Sequence, residues 1–254
     1  MNTLTIATYN IHKGFSHFNR RVVLHELRDR LRKLGADIVF LQEAQGEHTL
    51  HSQRFHNYPN GAQHEFLAEE IWPHCAYGKN SVYEVGHHGN AILSRFPILQ
   101  SSNKDVSAHR FEKRGLLHCE IELANRQRIH CLCVHFGLFA KGRREQTRML
   151  IEHVKNTVPA GIPLIIAGDF NDWRNQMSHT LEGELQVRDV FHLHGGSPAR
   201  SYPAGLPILR LDRIYVRGFS VLHSEVHVGG EWQRLSDHAA LSTRLKRHDS
   251  AEAA

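Results

Sequence analysis

Three short apolar runs in this chain break off in the same way, each into oxygen-bearing side chains. Leu164-Ile165-Ile166-Ala167 gives way to Gly168-Asp169-Phe170-Asn171-Asp172. Leu4 to Tyr9 runs into Asn10, and Ala36 to Leu41 runs into Gln42-Glu43. A brief continuous apolar run reads as a strand buried on both faces. The chain must therefore build a sheet covered on both sides. Strands that end in amides and carboxylates gather those groups at one edge of the sheet, where the scaffold is rigid and the loops vary. Oxygen clusters suit a hard cation such as Mg²⁺, which keeps several waters and needs only one or two protein carboxylates. Taken singly, each stretch reads equally well as a strand followed by an Asx turn. The rest of the chain decides.

Further strands are expected at Ala91 to Leu93, Gly115 to Leu123, Arg128 to His135, Leu209 to Val216 and 219–228, with a last one after Ser236-Asp237-His238. Asn19 is placed to cap a helix that runs to Leu34 and stops at Gly35, with Val23, Leu24, Leu27 and Leu31 at helical spacing. Ala62 to Trp72 predicts a short helix, and Gly142 to Val158 a longer one. The arginines of the longer helix read as a solvated face. Residues 44–62 and 195–207 read as loops, Trp173 to Val190 as mixed, and Lys246 to Ala254 as a frayed tail. No short repeat or low-complexity linker divides the 254 residues, so one domain over 1–254 is expected.

The net charge of +5 permits an anionic partner, whether nucleic acid, a phospholipid surface or a phosphate ester. Cys131 and Cys133 sit two apart in an alternating strand and read as small buried hydrophobes, not as a zinc site. Met1 to Leu4 lack the pattern of a signal peptide, and no apolar window is long enough to span a bilayer, so a cytoplasmic place is expected, with peripheral membrane contact open. The chain has neither the P-loop motif nor the nucleophile elbow of serine hydrolases.

The candidate site collects Asn10, Glu43, Asn90, His135, Asp169, Asn171, Asp212, Asp237 and His238. The set is complete for phosphate-ester hydrolysis. Glu43, with Asn10 and Asp237, can hold Mg²⁺ or Mn²⁺ against a non-bridging oxygen. Asp169 can orient and deprotonate water, and Asn171 can donate to the phosphoryl group. Asp212 is embedded in apolar residues and needs a partner. It can accept from one nitrogen of His238 and aim the other at the phosphate, or it can pair with Arg210 or Arg213. His135 is a second imidazole for the phosphate or leaving group. Arg114 can fork two phosphate oxygens. His12, Lys13, His87 and His88 carry no assigned role.

The wording and order of Thr8-Tyr9-Asn10-Ile11, Leu41-Gln42-Glu43, Gly89-Asn90-Ala91-Ile92-Leu93-Ser94, Val134-His135-Phe136-Gly137-Leu138, Gly168-Asp169-Phe170-Asn171, Leu211-Asp212-Arg213-Ile214 and Ser236-Asp237-His238 resemble the endonuclease/exonuclease/phosphatase superfamily, from Thr3 to about Leu245. Within it, the chain is most similar to a bacterial group whose pattern includes Tyr9 to Phe15, Gly86 to Asn90 and Leu209 to Val216. The resemblance implies a DNase I-like, four-layered α/β sandwich: two mostly antiparallel sheets face to face with helices outside. It implies a divalent-metal-dependent phosphoester hydrolase. His135 stands where abasic-site endonucleases of the superfamily carry a Tyr, so abasic-site repair is disfavoured. DNase I-like members pair this His with an upstream acid, for which Glu84 is the candidate. A nuclease or phosphodiesterase acting on nucleic acid is the first expectation. A hydrolase of phospholipid head groups or small phosphate esters is the alternative, since no aromatic platform for single strands is visible. A non-catalytic binding protein would have lost Glu43, Asp169 or His238, and none is lost.

Overall fold

The computed structural model describes residues 3–16, 21–55, 57–59, 61–109 and 112–248. Its strands form two six-stranded sheets. One runs, in spatial order, β11 (Phe219–His227), β12 (Ala240–Arg247), β1 (Thr3–Asn10), β2 (Ile38–His48), β4 (Gly86–Ser94) and β3 (His74–Tyr83). The other runs β5 (Ile98–Asp105), β6 (Gly115–Glu122), β7 (Arg128–His135), β8 (Leu164–Asp169), β10 (Asp212–Arg217) and β9 (Arg188–Asp189). Among the described residues, only β1–β2 and β7–β8 pair in parallel. Parallel neighbours need a crossover, and α1 (Leu24–Leu34) and α4 (Ala140–Thr157) supply the two.

Strand alternation divides the apolar residues into layers. Leu4 and Ile6 of β1 enter the shared core with Cys131, Cys133, Ile165 and Ile214 of the opposite sheet. Ala7 and Tyr9 point the other way and pack under Leu24, Leu27 and Leu31 of α1 and Leu67 of α3 (Gln63–Ala68). On the second sheet, Leu132, Val134, Leu164 and Ile166 face Leu150 and Val154 of α4 and Leu181 and Leu185 of α5 (Ser178–Leu185). The result is helix, sheet, sheet, helix. Each such side chain contributes about 1.5–3 kcal/mol when fully buried. A one-residue slip of a strand would expose its whole apolar set, so the register is firmly fixed.

Several elements differ from the sequence reading. Asn19 lies outside the described residues, and α1 begins at Leu24; its stop is Gly35, at φ +62°. The stretch read as a loop from 44 continues as β2 through a bulge to His48, then forms α2 (Thr49–Arg54). Pairing with β4 overrides the polar composition there. The short helix expected over 62–72 covers only Gln63–Ala68. Neither β3 nor β5 was expected, because both are sheet-edge strands with largely exposed or half-buried residues and no apolar run. The mixed stretch resolves into α5, β9 and α6 (Val190–Gly195). β10 starts three residues later than expected, at Asp212, and β12 extends to Arg247.

Candidate active site

Alternation also decides where the polar strand ends point. In β1, Asn10 shares a face with Leu4 and Ile6; in β7, His135 shares one with Cys131 and Cys133; in β8, Asp169 with Ile165 and Ala167; in β10, Asp212 with Ile214 and Val216. All four therefore face the gap between the sheets, at one end of it. Register finishes the placement. His135 is opposite Asp169 across β7–β8, and Asp212 is opposite Asp169 across β8–β10. A cleft of about 390 Å³ beside α1 is lined by charged residues and Leu235. The cleft that opens over these strand ends holds about 340 Å³ and is lined by Asn10, Glu43, Arg114, His135, Asp169, Asn171, Asp237 and His238.

Asp169 is the hub. Its Oδ2 accepts from Asn10 Nδ2 at 3.2 Å, and its Oδ1 accepts from the Asn171 amide at 2.9 Å. The same Oδ2 lies 3.5 Å from His135 Nε2 and 3.8 Å from His238 Nε2. His238 Nδ1 donates to Asp212 Oδ2 at 2.8 Å. Asp212 is held in turn by its backbone amide, which donates to Ser201 Oγ at 3.1 Å. Ser236 Oγ donates to the Asn10 carbonyl at 2.7 Å, tying the His238 loop to the end of β1. Asn171 Nδ2 donates to the Phe136 carbonyl at 2.9 Å, which leaves one amide hydrogen for another acceptor.

Backbone strain concentrates here. Among the described residues, His12, Lys13, Glu43 and Asn171 are four of the eight non-glycine residues at positive φ. Such conformations are costly and persist where the surroundings impose them. Glu43 sits on the β2 bulge, which turns its side chain into the cleft. Lys13 Nζ is 3.7 Å from Glu43, and His12 Nδ1 is 3.3 Å from Asp237. The His12–Lys13 turn is itself pinned by Gln63 Nε2, which donates to the Lys13 carbonyl at 2.8 Å.

Burial and charge set the protonation of the hub. Burial pushes the Asp169 carboxyl up to about 6, against the pull of His238. Burial works against a charged His238, but Asp212 and Asp169 prevail and raise it to about 10. Burial, reinforced by Arg114, sends His135 well below the ordinary imidazole range. Glu43 is opposed by burial, yet the cationic groups beside it, Lys13 among them, hold it below the ordinary carboxylate range. The cleft thus contains a neutral imidazole, a cationic imidazole, an ionised glutamate and an aspartate with the pKa of a working base.

Two carboxyl groups and an imidazole, those of Asp169, Asp212 and His238, bring ligand atoms within 4.8 Å of one another. His238 is bound to Asp212 at one nitrogen and held as a cation, so this trio is better described as an acid–imidazole chain than as a set of ligands. Glu43, Asp237 and the Asn10 amide offer oxygen donors in the same cleft, one of them strongly ionised, and that chemistry fits a hard divalent cation.

Asn90 does not line the cleft. It is fully buried, and its Nδ2 donates to the Gly115 and Cys133 carbonyls at 3.0 and 3.1 Å, clamping the two sheets beneath the site. It thus stands behind the lining residues rather than among them, where substrate contact was expected. Glu84 is an exposed residue of the β3–β4 turn, and the acid beside His135 is Asp169. Arg213 pairs with Asp189 at 3.3 Å, not with Asp212. Arg143, read as part of a solvated face, is buried. It donates to the Leu138 carbonyl at 2.5 Å and lies 4.7 Å over the Trp173 ring, joining the two loops on one side of the cleft.

Two facing mixed sheets, helices outside and an Asp–His chain at one end of the gap define a DNase I-like fold. The sequence matches the Endonuclease/Exonuclease/phosphatase family over residues 7–238, and the chain belongs to that family of phosphoester hydrolases. It is 47% identical to the YbhP protein of Escherichia coli K12 over 241 residues, 94% of this chain and 95% of that one. The structure of an endonuclease/exonuclease/phosphatase from Beutenbergia cavernae superposes with a TM-score of 0.78 at 19% identity, over 98% of this chain and 73% of the other. D. rerio TDP2 in complex with a single-strand DNA product superposes at 0.70 and 18% identity, over 97% and 100%.

Proposed function

We propose that the cleft hydrolyses a phosphoester with a bound divalent cation, Mg²⁺ or Mn²⁺. The observation that carries this reading is Asp169, on which Asn10, Asn171, His135 and His238 converge within 3.8 Å. Held by Glu43, Asn10 and Asp237, the cation would neutralise charge on a non-bridging phosphoryl oxygen. Asp169, oriented by Asn10 and Asn171, takes the proton of the attacking water. His238, kept cationic by Asp212, faces the phosphoryl group and offsets its developing charge. His135 is neutral and stands by the leaving group, and Arg114 meets the phosphate oxygens. The test is hydrolysis of bis(4-nitrophenyl) phosphate by the purified chain with Mg²⁺, with Mn²⁺ and with EDTA, using Asp169→Ala as the control for contaminants. Turnover that survives EDTA or the substitution sinks the reading.

Charge puts nucleic acid first among substrates, and the TDP2 neighbour is described with a single-strand DNA product. The mouth of the cleft favours the other class. Leu138, Leu209 and Leu211 line it beside Trp173 and Tyr202, three aliphatic side chains and two aromatic ones. Aliphatic side chains offer no π-face for a base. The aliphatic majority of this lining favours a phosphoester that carries an apolar body, as a phospholipid does, ahead of nucleic acid. Nicking of supercoiled plasmid by the wild type, absent in Asp169→Ala, would reverse that order.

A further inference from the structure

Twelve large apolar side chains are exposed among the described residues, and half of them stand in three loop segments around the cleft. These are Leu138 and Phe139 after β7, Trp173 after β8, and Leu206, Ile208 and Leu209 before β10. Phe139 is 67% exposed and Leu206 71%. Leu138, Trp173 and Leu209 line the cleft itself, which places all three segments at its mouth. Scattered apolar residues on a surface need no explanation, but a contiguous group of large ones does.

The charges of the same segments point one way. Residues 137–144, 173–176 and 198–210 contain Lys141, Arg143, Arg144, Arg174, Arg200 and Arg210 and no Asp or Glu, although the whole chain holds 26 acids. Arg143 is spent inside, holding Leu138 and Trp173. Lys141, Arg144, Arg174 and Arg200 are exposed beside the apolar residues. Large apolar side chains set among exposed cations match the interface of an anionic bilayer, and the neighbouring acid Glu112 is largely buried against the Leu138 amide and Arg114. The apolar tips enter the acyl boundary and the cations meet the head groups. A nucleic acid would use the cations and could stack on Phe139 and Trp173, but it would leave the four aliphatic side chains of the rim facing polar backbone.

We propose that this rim docks the protein on an anionic phospholipid bilayer, with the catalytic cleft opening onto the membrane plane. The substrate's lipid class rests on the hydrolase reading above. The docking does not, because it is measured without turnover.

The experiment is sedimentation of the full chain with phosphatidylglycerol-rich vesicles and with pure phosphatidylcholine vesicles, at low and high salt. The probes are the wild type and a triple variant, Phe139→Asp, Leu206→Asp and Ile208→Asp, none of which lines the cleft. The wild type is expected to bind the anionic vesicles, more weakly as salt rises, and to bind phosphatidylcholine poorly. The triple variant should lose roughly tenfold or more of its vesicle affinity. It should keep its melting temperature and its turnover of bis(4-nitrophenyl) phosphate. Trp173 fluorescence should shift to the blue on vesicle binding, and Trp173→Phe should remove that shift. Equal partition of wild type and triple variant overturns the proposal, as does wild-type binding to single-stranded oligonucleotide that the triple variant loses. Absent hydrolysis with intact docking removes the catalytic reading alone.

Discussion

Asp169 carries the reaction because of where a single residue stands. It lies between His135 and Asp212 in register, deep enough that burial raises its carboxyl to about 6. Asp169→Ala is expected to lower turnover by roughly 10²–10⁴-fold or more with its melting temperature kept near that of the wild type, and His238→Ala to lower turnover likewise while also losing stability, because it leaves Asp212 buried without its partner. Retained activity in either folded variant removes that residue from the reaction. The base form of Asp169 dominates only above its raised pKa. In the wild type, kcat/KM should therefore drop about tenfold per pH unit below about 6, which a pH–rate profile would test. The His238–Asp212 pair has its own signature. Asp212 is the strongest of the charges that lift His238 to about 10. Asp212→Asn should bring the His238 imidazole down into the range where its titration is followed by NMR. A His238 resonance that stays protonated past pH 9 in that variant would show that Asp212 is not what holds it.

At the scale of elements, β8 is the strand around which the second sheet is built. It pairs in parallel with β7 and antiparallel with β10, and its last turn of chain depends on Gly168. Gly168 has φ +146°, and a Cβ there would meet the Val134 carbonyl oxygen at 2.0 Å. That contact is with backbone, so no side chain can move aside. Gly168→Ala should spread β7 from β8 just below Asp169 and lower the melting temperature by several degrees, with activity falling faster than stability. Calorimetry beside a turnover assay checks this; an unchanged melting temperature would mean that the strand end yields more easily than its packing indicates. The run Leu164 to Ala167 was legible as a buried strand from its composition alone. The edge strands β3 and β5 were not, because strands with mostly exposed faces carry no apolar signature. β9 is two residues long and exists only because Tyr215 and Val216 offer it an edge.

For the whole molecule, one acid-labile group lies away from the cleft. His118 of β6 stands between His153 of α4, at 3.0 Å, and His130 of β7, at 2.9 Å, so three buried imidazoles join the outer helix to the sheet. Burial, with its two histidine neighbours, takes His118 down to about 4, and burial also lowers His130 and His153. The unfolded chain binds protons on these rings near pH 6.5, where the folded chain refuses them. Stability from this group is thus full above about pH 6.5 and is lost as pH falls from there toward about 4. A series of melting curves over that range should show the decline, and His118→Phe should flatten it even if its melting temperature at neutral pH is lower. A wild-type melting temperature that holds steady from pH 7 to 5 would contradict this account.

The sequence by itself determined what depends on local pattern and on chemistry that must be compensated. Period-two alternation and short apolar runs identified most strands, and polar residues at their ends announced a site. The embedded Asp212 required a partner, because a buried carboxylate alone is too costly, and His238 was the natural one. The order of the motifs carried the family and the sandwich. Tertiary structure decided what depends on distance between remote parts of the chain. It placed Asn90 under the cleft as a clamp between sheets, gave Arg213 to Asp189, and chose Asp169 over Glu84 as the acid beside His135. It gathered Phe139, Trp173 and Leu206, separated by tens of residues, onto one rim. The physical reason is the same in each case. Local pattern fixes the face of a strand on which a side chain stands, while the register and crossing of distant strands fix what that side chain meets.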